Sequence, residues 1–255
     1  MARNYDVYYS LMGKAIEEKI DFIVENLEKD DKSKTIVDFG CGDGLLIKTL
    51  SHIFPHKNFV GIDKPEIVHI LIKESFEENV FYMTAEDFTE SEFHSFREYS
   101  IIFSSVLHEI FTFHYEPLEF IYDIAKDAIS IFIRDMLFTD SGFSFDIPES
   151  LGENEQLNQM ITQEKMDSNI NRLMAHFLLK QRYKENWKEE LKEDYFSIPY
   201  YNLHNTFNDV FVTTHYEPYM NDFLYNDIKQ KLDIDLKRYT LTTHIKLIFT
   251  HKKYL

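Results

Sequence analysis

Apolar runs and amphipathic stretches alternate along the first half of the chain. Between residues 11 and 28, Leu11, Ala15, Ile16, Ile20, Ile23, Val24 and Leu27 recur at helical spacing, which predicts a helix with one buried face. Short apolar runs then follow at 35–39, 58–63, 80–83, 99–104 and 129–134, the length of buried strands. Helical spacing fills 65–76 and 118–128 between them. This alternation, sustained from residue 11 to residue 135, predicts an α/β fold: a mostly parallel sheet with helices on both faces.

The pattern changes after residue 136. Residues 153–194 are highly charged, with apolar positions such as Leu157, Ile161, Ile170, Leu173 and Leu191 spaced for one or two amphipathic helices. Two further strands are expected at 209–216 and 244–251, flanking a helix at about 222–232. The organisation predicted is a sheet domain made of 1–136 and 206–255, interrupted by a helical insertion at 137–205. Because the insertion follows the fifth strand, it should cap the carboxyl edge of the sheet, where open α/β sheets bind ligands. Its amphipathic helices could also pair with a second copy in a homodimer.

Composition narrows the function classes. The 255 residues carry 44% hydrophobic and 16% aromatic side chains, enough for a sizeable core, and a formal net charge of −17. That charge argues against an undirected grip on nucleic acid, which needs clustered Lys and Arg. Arg172, Lys180, Arg182, Lys184, Lys188 and Lys192 are interleaved with acids and read as a solvated helix face. One cysteine, Cys41, permits no internal disulfide and suits a reducing compartment. No apolar run approaches membrane-spanning length, so a cytoplasmic protein without membrane contact is expected.

The chemistry concentrates in residues 36–44, Ile-Val-Asp-Phe-Gly-Cys-Gly-Asp-Gly. Three of only seven glycines, Gly40, Gly42 and Gly44, stand at alternate positions between an apolar strand and an apolar-periodic helix. Glycine serves where φ is positive or where a ligand lies against the backbone, and a helix opening on such a loop turns free N–H groups toward that ligand. The spacing is G-x-G-x-G, without the lysine of a phosphate-binding P-loop. Asp38 precedes the loop, where an acid meets a cationic group and repels a pyrophosphate. Asp63 ends the second strand 19 residues after Gly44, the distance at which an acid reaches ribose hydroxyls.

These features resemble the class I S-adenosylmethionine-dependent methyltransferases, whose first motif [DE]-x-G-x-G-x-G is matched by Asp38 to Gly44. Gly61-Ile-Asp63 matches the family's acid after the second strand. Thr84-Ala-Glu-Asp-Phe88 is similar to its Asp-Ala-x-Asp-hydrophobic segment, with Thr84 in place of the acid that receives adenine. The resemblance covers about residues 35–135. It implies a seven-stranded Rossmann-like sheet with an antiparallel edge, and S-adenosyl-L-methionine as cofactor. It also implies a cofactor site drawn from Tyr9, Asp38, Gly40, Cys41, Gly42, Gly44, Asp63, Lys64, Ala85, Glu86, Asp87, Ser104 and Leu107. Asp38 and the loop would face the methionine end and Asp63 the ribose. Glu86, Asp87 or backbone groups would meet adenine, and Tyr5, Tyr8 and Tyr9 would close over the top.

The acceptor site is less defined. His108 and Glu109 follow the fourth strand, and Arg134 and Asp135 the fifth. His108 is the first choice for a general base. Glu109 could orient it or bind a cationic acceptor, and Arg134 could hold an anionic group. Each also has a bland reading, as helix cap, first-turn acid or backbone partner. Tyr195 to His204, Tyr216 and Tyr219 could wall the pocket. His108, Glu109 and His114 lack the spacing of a zinc motif, so no metal is expected. There is no cysteine after strand four for cytosine methylation, and no Pro-Pro motif for adenine methylation. A small-molecule acceptor, methylated on oxygen or nitrogen, is therefore favoured. The rivals are a cofactor-binding sensor without turnover, an RNA methyltransferase and a NAD(P) oxidoreductase.

Overall fold

A computed structural model describes residues 5–29, 32–75, 77–136, 200–233 and 244–255, with a few isolated positions between. The elements run α1 (Tyr5–Leu27), β1 (Thr35–Phe39), α2 (Leu45–Ile53), β2 (Asn58–Ile62), α3 (Pro65–Glu74), β3 (Val80–Met83), α4 (Ala85–Glu90), α5 (Glu92–Ser95), β4 (Tyr99–Ser104), α6 (Leu107–Phe113), α7 (Pro117–Ala125) and β5 (Ser130–Asp135). After the insertion come α8 (Tyr200–Phe207), β6 (Phe211–Tyr219), α9 (Asp222–Leu232) and β7 (His244–His251). The helical cap and the dimer contact expected at 137–205 fall almost wholly outside the described residues.

One seven-stranded sheet has the order β3-β2-β1-β4-β5-β7-β6. β1 to β5 are mutually parallel, and β7 lies antiparallel to both neighbours. Every residue of β1 and of β5 is buried, as strands covered on both faces should be. Alternate residues feed two cores. Val37, Phe39, Ile101, Phe103, Ile131 and Ile133 face α6, α7 and α8. Ile36, Ile102, Phe132 and Ile248 face Phe22, Ile23 and Leu27 of α1, Leu46, Ile47 and Leu50 of α2, and Val68 and Leu71 of α3.

The apolar pattern located every strand, with differences at the margins. β6 runs on to Tyr219 through Pro218, which an edge strand accepts because a position facing away from the ladder needs no N–H, the donor that proline lacks. Short helices α4, α5 and α6 carry too few turns to show periodicity. α4 is instead specified by a capping box, in which Thr84 Oγ1 accepts from the Asp87 N–H (3.1 Å) and the Thr84 N–H donates to Asp87 Oδ2 (3.3 Å).

Strand order reverses direction at β1 and β4. The loops leaving their carboxyl ends therefore diverge and open a crevice. β7 runs the other way, so its first residue, His244, joins the same edge as the last residues of β5.

Candidate active site

The glycine loop forms one wall of that crevice. Gly40, Gly42 and Gly44 all have positive φ, at 75°, 57° and 71°. Loop and β2 are tied together, since the N–H groups of Gly40 and Cys41 both donate to the Ile62 carbonyl (2.8 and 3.0 Å). The three glycines differ in what they permit. A Cβ on Gly40 would stand 2.4 Å from Val106 Cγ2, and one on Gly44 would stand 2.5 Å from Tyr82 Oη. A Cβ on Gly42 would meet no atom within 4 Å. Gly40 and Gly44 are thus required by packing, while Gly42 lies against open space, as a backbone that a ligand approaches must.

Asp63 spans the loop. Its Oδ2 accepts from the Gly42 N–H and its Oδ1 from the Lys64 N–H, both at 2.8 Å. Burial raises its pKa, with those two amides pulling against the rise. Asp38, two residues before Gly40 and still within β1, is only 3% exposed, on the face of β1 turned to α1. Burial pushes its carboxyl up to about 7, while the nearby Lys19 charge pulls it down. Cys41 is buried, and its thiol is driven far above its usual range, so it is packing rather than a nucleophile.

β4 supplies the opposite wall. Ser105, directly after it, adopts φ +59°, a left-handed conformation that costs a non-glycine residue about 1–3 kcal/mol. Arg134 holds this turn twice. Its carbonyl accepts from the Ser105 N–H (2.9 Å), and its Nη1 donates to Ser105 Oγ (3.1 Å). Arg134 Nε donates to Tyr219 Oη (3.1 Å) and Nη2 to Glu18 Oε2 of α1 (3.3 Å). All three guanidinium nitrogens are therefore engaged by the protein itself.

On the other face, Asp135 is 1% exposed and accepts four hydrogen bonds. Its Oδ2 takes the N–H groups of Val106 and Leu107 at the start of α6 (2.9 and 2.7 Å), and its Oδ1 takes the Met136 N–H (2.7 Å) and His108 Nδ1 (3.0 Å). Burial alone would raise this carboxyl, but His108 and the amide donors outweigh it and hold the pKa below its ordinary value. The partner that orients His108 is thus Asp135, not Glu109. Glu109 instead faces Lys64 at 3.7 Å across the crevice mouth.

The structure brings Asp38, the glycine loop, Asp63, Lys64, Ser104, Leu107, His108, Glu109 and Arg134 to one sheet edge. Ala85 and Glu86 open α4 beside it, but the Asp87 carboxylate is held in the capping box, where Thr84 Oγ1 also donates to it (2.7 Å). Tyr9 belongs to α1, but its side chain lies outside the described residues, as do those of Tyr5 and Tyr8. Residues 195–199 of the aromatic wall also lie outside them, whereas Tyr200 packs on Tyr216 at 4.5 Å.

Sequence reasoning passed over Glu18, Lys19 and His244. Lys19 is 7% exposed, and burial lowers its pKa to about 8. His244 is buried, and burial together with the charges of Arg134 and Lys19 holds it well below its ordinary value. Nothing local marks these positions: Glu18 and Lys19 stand in the charged run Glu17–Lys19 of an amphipathic helix and His244 at the start of a strand, where such residues ordinarily read as solvated.

No protein-family model matches the sequence, and no curated protein matches it. Solved structures do. The plantazolicin methyltransferase BamL, in complex with a triazolic desmethylPZN analog and S-adenosylhomocysteine (SAH), is similar over 97% of this chain and 90% of its own, at 12% identity and a TM-score of 0.54. The plantazolicin methyltransferase BpumL, in complex with a pentazolic analog and SAH, gives 13% identity, coverage of 97% and 88%, and a TM-score of 0.53. A chain from the complex formed by the Haloferax volcanii Trm112 methyltransferase activator gives 11% identity, coverage of 95% and 94%, and a TM-score of 0.51. The chain therefore has the class I methyltransferase fold. Among the described residues no helix is long and apolar enough to cross a membrane.

Proposed function

We propose that this protein is an S-adenosylmethionine-dependent methyltransferase acting on an oxygen or nitrogen of a small molecule. The observation that carries the reading is the crevice wall: three positive-φ glycines, with the central one open to a ligand and its amide fixed to Asp63. These residues fit the cofactor. Asp63 is held with lone pairs left to accept from ribose hydroxyls, and Asp38 is a buried acid suited to a cation. The amides of Ala85 and Glu86, with the exposed Glu86 side chain, would meet the adenine edge, since Asp87 already caps α4.

When bound, the cofactor supplies an electrophilic methyl carbon on a cationic sulfur. The protein must align the acceptor with that carbon and remove its proton. Asp135 fixes the hydrogen of His108 on Nδ1, so the imidazole lone pair lies on Nε2, where it takes the acceptor's proton. Arg134 positions the Ser105 turn and the N-terminal helix rather than gripping substrate. Calorimetry with SAH tests the cofactor assignment: binding in the micromolar range is expected, and none would overturn it. In a screen of small hydroxylated and amine acceptors, His108→Gln should lose turnover while retaining SAH affinity. Tight binding with no product from any acceptor would favour a sensor.

A further inference from the structure

Arg134 and Asp135 are consecutive residues of β5, so their side chains leave opposite faces of the sheet. They grip one short segment from both sides. On the α1 face, Arg134 holds Ser105 through its Nη1 and its carbonyl (3.1 and 2.9 Å). On the α6 face, Asp135 takes the N–H groups of Val106 and Leu107 and the ring of His108. Ser105 is the joint between the two grips. Its φ of +59° is a conformation that a serine keeps only where its surroundings impose it. The direction in which His108 leaves β4 is therefore set by whatever holds Arg134.

Glu18 does much of that holding. It stands about one turn before Phe22, at the end of the apolar anchor through which α1 packs on the sheet. Its Oε2 accepts from Arg134 Nη2 (3.3 Å) and from Asn221 Nδ2, just after β6. Its Oε1 lies 4.0 Å from Lys246 Nζ of β7. Tyr219 Oη accepts from Arg134 Nε (3.1 Å) and completes the bracket. The Arg134 side chain is only 5% exposed, and a buried, planar guanidinium bonded on all sides has little freedom to turn. One unbroken chain of contacts thus runs from the first helix, through Glu18, Arg134 and Ser105, to the segment that carries His108. Stability alone does not call for it, because a glycine at position 105 would take the same φ with no clamp.

We propose that Glu18 is a positioning residue for His108: through Arg134 it clamps the strained Ser105 turn, so that the seating of α1 on the sheet sets the orientation of the base. The proposal rests on the methyltransferase reading for what His108 does, and on the contacts alone for how it is held. Loss of Glu18 frees the guanidinium, lets the Ser105 turn relax and loosens His108 from Asp135.

Nitrogen NMR on the full chain, labelled on its histidines, tests this, with the His108 ring assigned through His108→Gln. In the wild type the Asp135 bond keeps a hydrogen on Nδ1, so the two ring nitrogens should give well-separated shifts. Glu18→Ala should draw those shifts together as the tautomers exchange, while SAH affinity by calorimetry stays within about twofold. Adding Ser105→Gly, which takes the left-handed conformation unaided, should restore the separation. A merely structural Glu18 would lower the melting temperature with no such rescue. Glu18→Gln keeps the side-chain volume should the Ala variant fail to fold, and should move the shifts in the same direction. Unchanged His108 shifts in the Glu18 variants, or an equal change with and without Ser105→Gly, overturns the clamp. A wild type that binds no SAH overturns the methyltransferase reading instead, and the NMR comparison still decides the clamp.

Discussion

Two buried aspartates stand at the same sheet edge in opposite electrostatic conditions. Asp135 is satisfied by three amides and His108, and its pKa is lowered; Asp38 has no such donors and titrates near 7. The folded protein therefore retains a proton on Asp38 that the unfolded chain releases above its ordinary 3.8. This makes Asp38 lower stability as pH rises from about 4 to about 7, a window in which Lys19 is charged in both states. Asp38→Asn removes that slope. Its melting temperature relative to wild type should climb between pH 5 and pH 8, by several degrees at about 1.4 kcal/mol per pKa unit and about 2–4 °C per kcal/mol. A gain in stability alongside lost SAH affinity would mark Asp38 as retained for binding. Asp135 contributes in the opposite sense. Its stabilisation is complete above 3.8 and is lost as pH falls through its lower folded value. Asp135→Asn should thus destabilise at neutral pH by about 2–4 kcal/mol, seen in urea unfolding, because it unpairs buried amides as well as His108.

The glycine loop is the element on which sequence and structure agree most closely, because its constraints are local. Positive φ, the strand before it and the helix after it are all encoded within ten residues, and Asp63 lies one strand further along. Substitution should separate the two uses of glycine. Gly42→Ala has room for its Cβ and bears only the left-handed penalty of about 1–2 kcal/mol, so it should fold, melt slightly lower and lose SAH affinity. Gly40→Ala adds the collision with Val106 and should melt well below it. Thermal unfolding and calorimetry on both variants check the order. What stayed illegible is what distant elements supply. His108 was readable as a candidate, but its partner Asp135 is 27 residues away. Arg134 reads as an anion fork until Glu18, 116 residues distant, is seen to take part of it. Lys19 looks like one more solvated lysine until α1 is packed on the sheet. Asp87 reads from its motif as a cofactor contact and, taken singly, as a helix cap; the cap that begins at Thr84 holds its carboxylate.

At the scale of the whole molecule, the two cores converge on one crevice, so occupying it should stabilise the entire sheet. α1 closes one face through Phe22, Ile23 and Leu27 and reaches the edge through Lys19, while α6 closes the other through Leu107 and Ile110 and carries His108. A ligand binding only the folded state at about 100 times its Kd adds about 2.7 kcal/mol. At about 2–4 °C per kcal/mol for a chain of this size, SAH should raise the melting temperature by about 5–10 °C. NAD should leave it unchanged, because Asp38 and the G-x-G-x-G spacing oppose a pyrophosphate. The net charge of −17 predicts the response to polyanions as well. Phosphate binding depends on cations whose counterions are released, and the cations described at this edge are buried or paired with acids. RNA added at low salt, where such binding is strongest, should therefore neither shift the melting curve nor compete with SAH. A salt-dependent shift with RNA would instead reveal a basic groove and move the acceptor from a small molecule to a nucleic acid.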